Sequence, residues 1–201
     1  MYNTLLSVVI PTYNVENYIV ECVDDLLKQI SEPNEIIIVN DGSTDGTLAL
    51  VNQHYGHLPQ VKIITTANGG AGQARDTGIE AAQGEFLFFC DPDDIVAEGL
   101  VHELQQVFLT HPETELFCFN SQMFEEGQRQ VTQPKVHHDI FGKQPSHQVF
   151  SSLLCNGSYT SAAWSYVVKR ALVEQQRLRF RDLVHEEHQF TLAAFVCSQH
   201  A

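Results

Sequence analysis

Short apolar runs alternate with segments of helical period over the first 120 residues, and this alternation constrains the fold more than any other feature of the sequence. The runs LSVVIP (6–11), EIIIVN (35–40) and VKIITT (61–66) are rich in β-branched residues and lie between turn-forming residues such as Gly, Pro and Asn. Strands that alternate with helices are typical of β-α-β units. The sequence therefore predicts an α/β fold with a mostly parallel central sheet flanked by helices.

The alternation can be followed as far as residue 120. The predicted elements are a helix capped by Asn14 and ending near Ile30, a helix that carries Leu48, Val51 and Tyr55, a helix over 71–82, a strand over 85–91, a helix over 99–110 and a strand over 116–120. The segment 121–147 is polar and carries a Gly or Pro every few residues, which predicts a surface excursion or a hairpin. A second organised region follows over about 148–201.

Composition excludes several classes of partner. The 25 acidic and 11 basic residues give a net charge of −14, which disfavours nucleic acid and anionic membranes. The five cysteines are an odd number without a C-x-x-C pair, which is typical of reduced thiols in a cytoplasmic protein. No run approaches 18 apolar residues, and the first residues lack a basic segment. The sequence thus predicts neither a membrane span nor an export signal.

Three polar clusters follow predicted strands at their carboxyl ends: PTYN (11–14), NDGS (40–43) and DPDD (91–94). In an open parallel sheet these ends line one edge, where ligands bind at the switch in strand order. We expect the clusters to meet there. Asp41 suits the polar edge of a base or a ribose, and Tyr13 offers a face for stacking. The alternative for the second cluster is an ordinary turn with a helix cap.

The DPDD cluster crowds three carboxylates into four positions. Burying unpaired carboxylates costs several kcal/mol each, so we expect them to share a cation. Mg²⁺ and Mn²⁺ are hard ions that take one or two protein carboxylates and leave other positions for water and diphosphate oxygens. In the alternative, Asp91 caps a turn while Asp93 and Asp94 are solvated.

The loop NGGAGQARDTG (68–78) superficially suggests a dinucleotide site. The G-x-G-x-x-G pattern starting at Gly70 would need Gly at 75, where the chain has Arg75, and no G-K-[ST] loop is present. Backbone N–H groups of the loop together with Arg75 could instead approach a diphosphate. The alternative is a plain Gly-rich connection to the next helix.

Taken together, the blocks VVIPTYNVENYIVECVDDLLKQ, EIIIVNDGSTDGT and NGGAGQARDTGIEAAQGEFLFFCDPDD resemble the family 2 glycosyltransferases over about residues 5–110. The resemblance implies the GT-A (Rossmann-like) fold of nucleotide-diphospho-sugar transferases and a UDP-sugar donor held through a D-x-D motif and a metal ion, Mn²⁺ or Mg²⁺. It assigns the metal to Asp93 and Asp91, with Asp94 assisting. The residues that it implies in nucleotide binding are Pro11, Thr12, Tyr13, Asp41, Asn68, Gly69, Arg75 and Asp91. Where the family commonly has Asn after the Arg, this chain has Asp76.

The second half resembles bacterial polysaccharide- and lipopolysaccharide-assembling members of the family. Their E-D-x-x-F motif falls on Glu186-Glu187-His188-Gln189-Phe190, which implies Glu187 as the catalytic base in place of Asp. A positioned carboxylate that accepts a hydroxyl proton typically contributes about 10²–10⁴-fold to the rate. The histidines of HEEH are three apart, whereas a zinc H-E-x-x-H motif needs four. The alternative for Glu186 and Glu187 is a solvated helix face.

These features predict an inverting glycosyltransferase that moves a sugar from a UDP-sugar to a glycan or glycolipid hydroxyl. Residues 1–120 would bind the nucleotide-sugar and 121–201 the acceptor, within one GT-A domain. Many members of the family continue beyond the base, so we expect further residues after 201, and any peripheral membrane association would lie there. The alternatives are a nucleotide-sugar-binding module without catalysis and a sugar nucleotidyltransferase, although PTYNVENY lacks the Gly-rich basic loop that the latter needs.

Overall fold

The structure, a computed structural model, describes residues 5–31, 34–124, 131–136, 142–180 and 185–201. The strands are β1 (Leu6–Thr12), β2 (Glu35–Asn40), β3 (Val61–Thr65), β4 (Phe86–Phe89), β5 (Leu116–Cys118), β6 (Ser121–Phe124), β7 (Val131–Val136) and β8 (Tyr166–Lys169). The helices are α1 (Ile19–Leu27), α2 (Thr47–Tyr55), α3 (Ala71–Ala81), α4 (Leu100–Thr110), α5 (Ser146–Cys155), α6 (Arg170–Gln175) and α7 (Glu186–Cys197). A short 3₁₀ turn, Ala163–Ser165, precedes β8.

Six strands form the central sheet, in the order β3-β2-β1-β4-β8-β5. The four strands β1 to β4 run parallel to one another, and β8 is antiparallel to both β4 and β5. The predicted α/β fold with a mostly parallel sheet is confirmed. Since β8 comes from the second half of the sequence and lies between two strands of the first half, both halves share one sheet.

Both faces of the sheet are covered, which explains why β1 and β2 are almost entirely apolar. Alternate residues serve opposite cores: Val9 and Ile37 pack with α3, α5, α6 and α7, whereas Val8 and Ile36 pack with α1, α2 and α4. The period-two alternation of side chains thus gives each helix layer its own apolar core. The carboxyl ends of the strands carry the polar clusters to one edge.

Beyond the sheet, β6 and β7 form an antiparallel pair, which confirms the hairpin interpretation for the described part of 121–147; residues 125–130 and 137–141 lie outside the described residues. All five cysteines are free. Within the described ranges, no helix is long and apolar enough to cross a bilayer.

Two predicted details of the elements are wrong. Asn14 does not cap α1, which begins at Ile19. Instead it adopts a left-handed conformation (φ 53°), and its side-chain oxygen accepts hydrogen bonds from the backbone N–H groups of Thr44 (2.8 Å) and Asp45 (3.3 Å). Tertiary contact with the loop after β2 has replaced the local cap. Strand β4 is also shorter than predicted, ending at Phe89, so that Asp91 belongs to the following turn.

Small residues bring α3 close to the sheet, as the sequence predicts for Ala74, Gly78 and Ala82, which are buried; Ala71 is exposed. A Cβ atom added at Gly78 would lie 2.2 Å from Cγ1 of the buried Val9. Neither the strand nor the branched side chain can yield without disturbing the core. Gly78 therefore sets the distance between α3 and β1.

We expect Gly78→Ala to lower the free energy of unfolding by about 1–2 kcal/mol, because overpacking costs up to about 3 kcal/mol and Ala gains roughly 1 kcal/mol over Gly in a helix. Urea denaturation measures the change. The control is Glu80→Ala on the exposed face of the same helix, which should stay within about 0.5 kcal/mol of the parent. A Gly78→Ala protein as stable as the parent would contradict this packing.

Candidate active site

Asp41, directly after β2, is buried and fixes the loop that leads into α3. Its backbone N–H donates to the Thr12 carbonyl (2.8 Å). Its carboxylate accepts hydrogen bonds from the backbone N–H groups of Gly69 (2.9 Å) and Gly70 (2.7 Å) and from the Thr66 hydroxyl (3.2 Å). The loop N–H groups that the sequence suggests for a diphosphate thus bind Asp41 in this structure.

Glycines allow the two loops to approach each other. Gly42 has φ 68°, and a Cβ atom there would lie 2.9 Å from the backbone nitrogen of Asn68. Gly70 has φ 92°, just before α3 begins. Both conformations favour glycine over other residues. Asn68 itself is exposed beside this contact, at the same end of the sheet as Tyr13.

Arg75 on α3 joins carboxylates from two other segments of the chain, the DPDD turn and α7. Its side chain is only 4% exposed, and its Nη2 lies 2.7 Å from Oδ1 of Asp91 and 2.7 Å from Oε1 of Glu187. Its Nη1 lies 3.8 Å from Oε1 of Glu186, and the guanidinium carbon lies 5.4 Å from the ring centre of Phe180. A buried guanidinium needs such partners, and its planar fork can serve several oxygens together. The structure therefore brings Asp91 and Glu187 together on one cation.

Two neighbours of Arg75 hold the second half of the chain in place. The carboxylate of Asp76 accepts a hydrogen bond from the backbone N–H of Phe180 (3.0 Å). A Cβ atom at Gly72 would lie 3.0 Å from Cγ of Glu186 and 3.2 Å from Cβ of Phe180. Neither role was predicted from the sequence. The signal was their spacing, because Gly72, Arg75 and Asp76 lie three and four positions apart on one helix face.

The pKa of the Glu187 carboxyl is raised above its usual value. Burial is the largest cause, and the nearby carboxylates of Asp91 and Glu186 act in the same direction. Arg75 and a hydrogen bond from the backbone N–H of Ala163 oppose the rise. A carboxylate whose proton affinity is increased in this way is better suited to accept a proton than a solvated one.

The carboxylates of the DPDD turn lie in different environments. Asp91 is bound to Arg75, Asp93 is exposed at the tip, and the backbone N–H of Asp94 donates to the Asp91 carbonyl (3.0 Å). Among the described residues, no three His, Cys, Asp or Glu side chains group closely enough to hold a metal ion by themselves. The turn nevertheless fits Mg²⁺ or Mn²⁺, since these ions take one or two carboxylates and complete their shell with other oxygens.

The remaining predicted residues lie at the same sheet edge without joining the Arg75 cluster. Pro11 and Thr12 end β1 in register with Val39 and Asn40 of β2. Tyr13, next along the chain, is 48% exposed. In the part of the chain that the structure describes, no hydrogen bond or ion pair joins Tyr13 or Asp93 to Arg75. The strand order puts β1 between β2 and β4, so these residues line the edge between Asp41 and Asp91.

A family model described as "Glycosyl transferase family 2" matches residues 7–170. The chain belongs to glycosyltransferase family 2. That match spans both halves of the family 2 chain, from β1 to the beginning of α6, and so includes Asp41, Arg75 and the DPDD turn.

Curated relatives match either most of the chain or about half of it. The uncharacterized glycosyltransferase EpsJ of Bacillus subtilis (strain 168) is 30% identical, over 95% of this family 2 chain and 56% of its own length. The chondroitin synthase of Pasteurella multocida (strain Pm70) is 40% identical over 105 residues, which are 52% of this chain and 11% of that protein. The chain spans about half the length of EpsJ.

Among solved structures, TarS 1–349 of S. aureus in complex with UDP-GlcNAc aligns with a TM-score of 0.80 and 26% identity, over 97% of this chain and 54% of that one. The likeness extends over both halves of the family 2 chain. The predicted GT-A fold is confirmed.

Proposed function

We propose that the chain is an inverting glycosyltransferase that moves a sugar from a UDP-sugar to a hydroxyl group of a glycan or glycolipid. The proposal rests on the position of Arg75, whose Nη2 lies 2.7 Å from Oδ1 of Asp91 and 2.7 Å from Oε1 of Glu187. This contact brings the candidate base next to the carboxylate that the family resemblance implies in donor binding. The UDP-GlcNAc complex of TarS supports a UDP-sugar as the donor.

The proposed reaction is a single displacement of the diphosphate at the anomeric carbon of the donor sugar. The acceptor oxygen forms a bond to the anomeric carbon of the donor while the bond from that carbon to the diphosphate oxygen breaks. Glu187 takes the hydroxyl proton, and its raised pKa suits that role. Attack from the face opposite the leaving diphosphate inverts the anomeric centre, so an α-linked donor gives a β-glycoside.

A divalent metal fits the DPDD turn. Asp93, exposed at the tip, and Asp91 would hold Mn²⁺ or Mg²⁺. When bound, such an ion neutralises charge on a departing diphosphate. Because Asp91 is also bound to Arg75, Asp93 would be the main protein ligand.

Residues 1–120 would bind the donor and residues 121–201 the acceptor. The free cysteines support a cytoplasmic location.

Thermal unfolding with donor and metal tests this assignment. UDP-GlcNAc with Mn²⁺ should stabilise the protein by about 2.7 kcal/mol when the donor is at 100 times its Kd. In Asp93→Asn, we expect the Mn²⁺ concentration needed for half of that effect to rise by about ten-fold or more. The control is Glu98→Gln, an exposed acid in the same loop.

Two outcomes would contradict the donor and metal assignments. If neither UDP-GlcNAc nor other UDP-sugars stabilise the parent with Mn²⁺, the UDP-sugar assignment is wrong. If Asp93→Asn responds to Mn²⁺ as Glu98→Gln does, Asp93 is not the ligand.

A binding module without catalysis is the second candidate, because Glu187 is held in an ion pair with Arg75. In that case UDP-sugar would stabilise the protein while no transfer is detected with any acceptor.

A further inference from the structure

Phe180 is a buried aromatic residue that lies against the Arg75 guanidinium. Only 3% of its surface is exposed, and its ring centre lies 5.4 Å from the guanidinium carbon. A cation within about 6 Å of the centre of an aromatic face is attracted to the ring, and more strongly where water is excluded. The ring therefore gives the guanidinium an apolar partner in addition to its carboxylates.

The same ring packs against the helix that carries the candidate base. Phe180 and Phe190 are stacked, with ring centres 4.2 Å apart and an angle of 8° between their planes. Both rings also meet Phe89 of β4 edge to face, at 5.1 and 5.5 Å. Phe190 follows Glu187 on α7 by three positions, which is slightly less than one helical turn. A displacement of Phe180 is therefore expected to move both Arg75 and the first turn of α7.

Asp76 fixes the backbone of Phe180. Its carboxylate accepts the hydrogen bond from the backbone N–H of Phe180 at 3.0 Å, and a Cβ atom at Gly72 would lie 3.2 Å from Cβ of Phe180. Asp76 directly follows Arg75 on α3. The residue that anchors the ring and the cation that the ring contacts thus belong to one helix.

We infer that Phe180, anchored by Asp76, is a positioning residue that keeps Arg75 and Glu187 in the arrangement needed for sugar transfer. The inference rests on the proposed function and adds two residues that act through Arg75 and α7. Misplacing a reacting group by about 1 Å can lower a rate by about 10²-fold, even when the change lies away from the chemistry. A purely structural role predicts a loss of stability alone, whereas a positioning role also predicts a loss of kcat.

Phe180→Leu tests the ring, because it keeps an apolar side chain and removes the aromatic face. We expect kcat to fall by about 10- to 100-fold, with the KM for the donor unchanged. The matched control is Phe108→Leu. Phe108 is also 3% exposed and stacks on Phe86, with ring centres 3.8 Å apart, in the core on the opposite face of the sheet. Both variants should lower the midpoint of urea denaturation, but Phe108→Leu should keep the parent kcat.

Two variants of Asp76 test the anchor. Asp76→Ala removes the acceptor, and kcat should fall by about ten-fold or more. In Asp76→Asn the amide oxygen accepts the same hydrogen bond, so kcat should return to within about three-fold of the parent. The control is Asn34→Ala, which removes the side-chain acceptor of the buried Leu6 N–H (3.0 Å) at the opposite end of the sheet. It should destabilise the protein without changing kcat.

The N–H group at Nε of Arg75 reports the same contact without a substrate. Within the described residues this nitrogen is buried and has no hydrogen-bond partner, so exchange of its proton with water measures opening of the cluster. By NMR, exchange should be about three- to 30-fold faster in Phe180→Leu and about two- to ten-fold faster in Asp76→Ala. Phe108→Leu and Asn34→Ala should exchange at the parent rate. The resonance is assigned by its absence from Arg75→Met.

Three results would overturn the inference. If the Arg75 proton exchanges equally fast in Phe180→Leu and Phe108→Leu, the ring does not hold the guanidinium. If Phe180→Leu keeps the parent kcat or loses only donor affinity, the ring does not position the base. If Asp76→Asn is as slow as Asp76→Ala, the hydrogen bond is not the anchor. Failure of the proposed function is distinguishable, because the parent would then transfer sugar from no UDP-sugar while the exchange rates still decide the contact.

Discussion

Replacing Glu187 by Gln is expected to slow sugar transfer by about 10²–10⁴-fold, because the amide cannot accept the proton of the acceptor hydroxyl. The loss should appear in kcat, measured with a competent donor and acceptor. Folding should not suffer at neutral pH. Since burial raises the pKa of this carboxyl in the folded state, its ionisation opposes folding, and the neutral Gln removes that cost.

The same raised pKa predicts the pH dependence of the parent enzyme. Glu187 acts as a base only when it is deprotonated, so kcat should fall as the pH is lowered through its pKa. Because that pKa is raised, the fall begins at a higher pH than for a solvated glutamate. Protonation of Glu187 also stabilises the folded state. This contribution to the free energy of unfolding is present at low pH and is lost as the pH rises through the folded-state pKa.

Neighbouring substitutions make the Glu187 experiment specific. Glu186→Gln makes the same chemical change one residue away, at a carboxylate 3.8 Å from Arg75, and should cost less than about ten-fold. Glu187→Asp, which restores the residue implied by the family resemblance, should retain more activity than Glu187→Gln. Transfer by Glu187→Gln at the parent rate would exclude this residue as the base.

Replacing Arg75 by Met is expected to lower the free energy of unfolding by about 3 kcal/mol or more, because a buried cation is removed from carboxylates that remain in place. The effect should lie near the lower end of the range for broken buried ion pairs, since Asp91 and Glu187 keep 27% and 24% exposure of their side chains. Urea denaturation near neutral pH measures the change. Sugar transfer should fall as well, because α7 and the DPDD turn lose their common partner.

An exposed ion pair serves as the control for Arg75. Lys28, 71% exposed, lies 2.6 Å from Asp25, and Lys28→Met should cost no more than about 1 kcal/mol. In a double-mutant cycle, Arg75→Met with Glu187→Gln should be more stable than additivity predicts, by about 0.5–3 kcal/mol. Strict additivity would mean that the Arg75–Glu187 contact contributes nothing to stability.

The Asp41 loop shows how far sequence patterns reach into the site. The glycines of NDG and NGG indicate sharp turns near strand ends, and the structure has positive φ angles at Gly42 and Gly70. The carboxylate of Asp41 was predicted at this edge, but its bonds to Gly69 and Gly70 were not. Those bonds depend on how β2 and β3 lie side by side, which local periodicity does not encode.

Asp76 illustrates a residue whose role no local pattern could reveal. The sequence showed only that Asp76 stands where the family commonly has Asn. In the fold its carboxylate binds the backbone N–H of Phe180, 104 positions along the chain. Hydrogen-bond partners at such separation are set by the packing of α3 against the second half, and that packing depends on Gly72.

The sequence by itself determined the helices and strands of the first half, the parallel sheet and the residue types at its edge, because side-chain periodicity and turn residues act over a few neighbouring positions. It also supplied the motif blocks that identify the family. Only the tertiary structure decided that β8 enters the sheet between β4 and β5, and that Arg75 joins Asp91 to Glu187. The ion pairs follow from burial, because a guanidinium that loses water when α3 packs on the sheet must bind the carboxylates that the fold brings within reach.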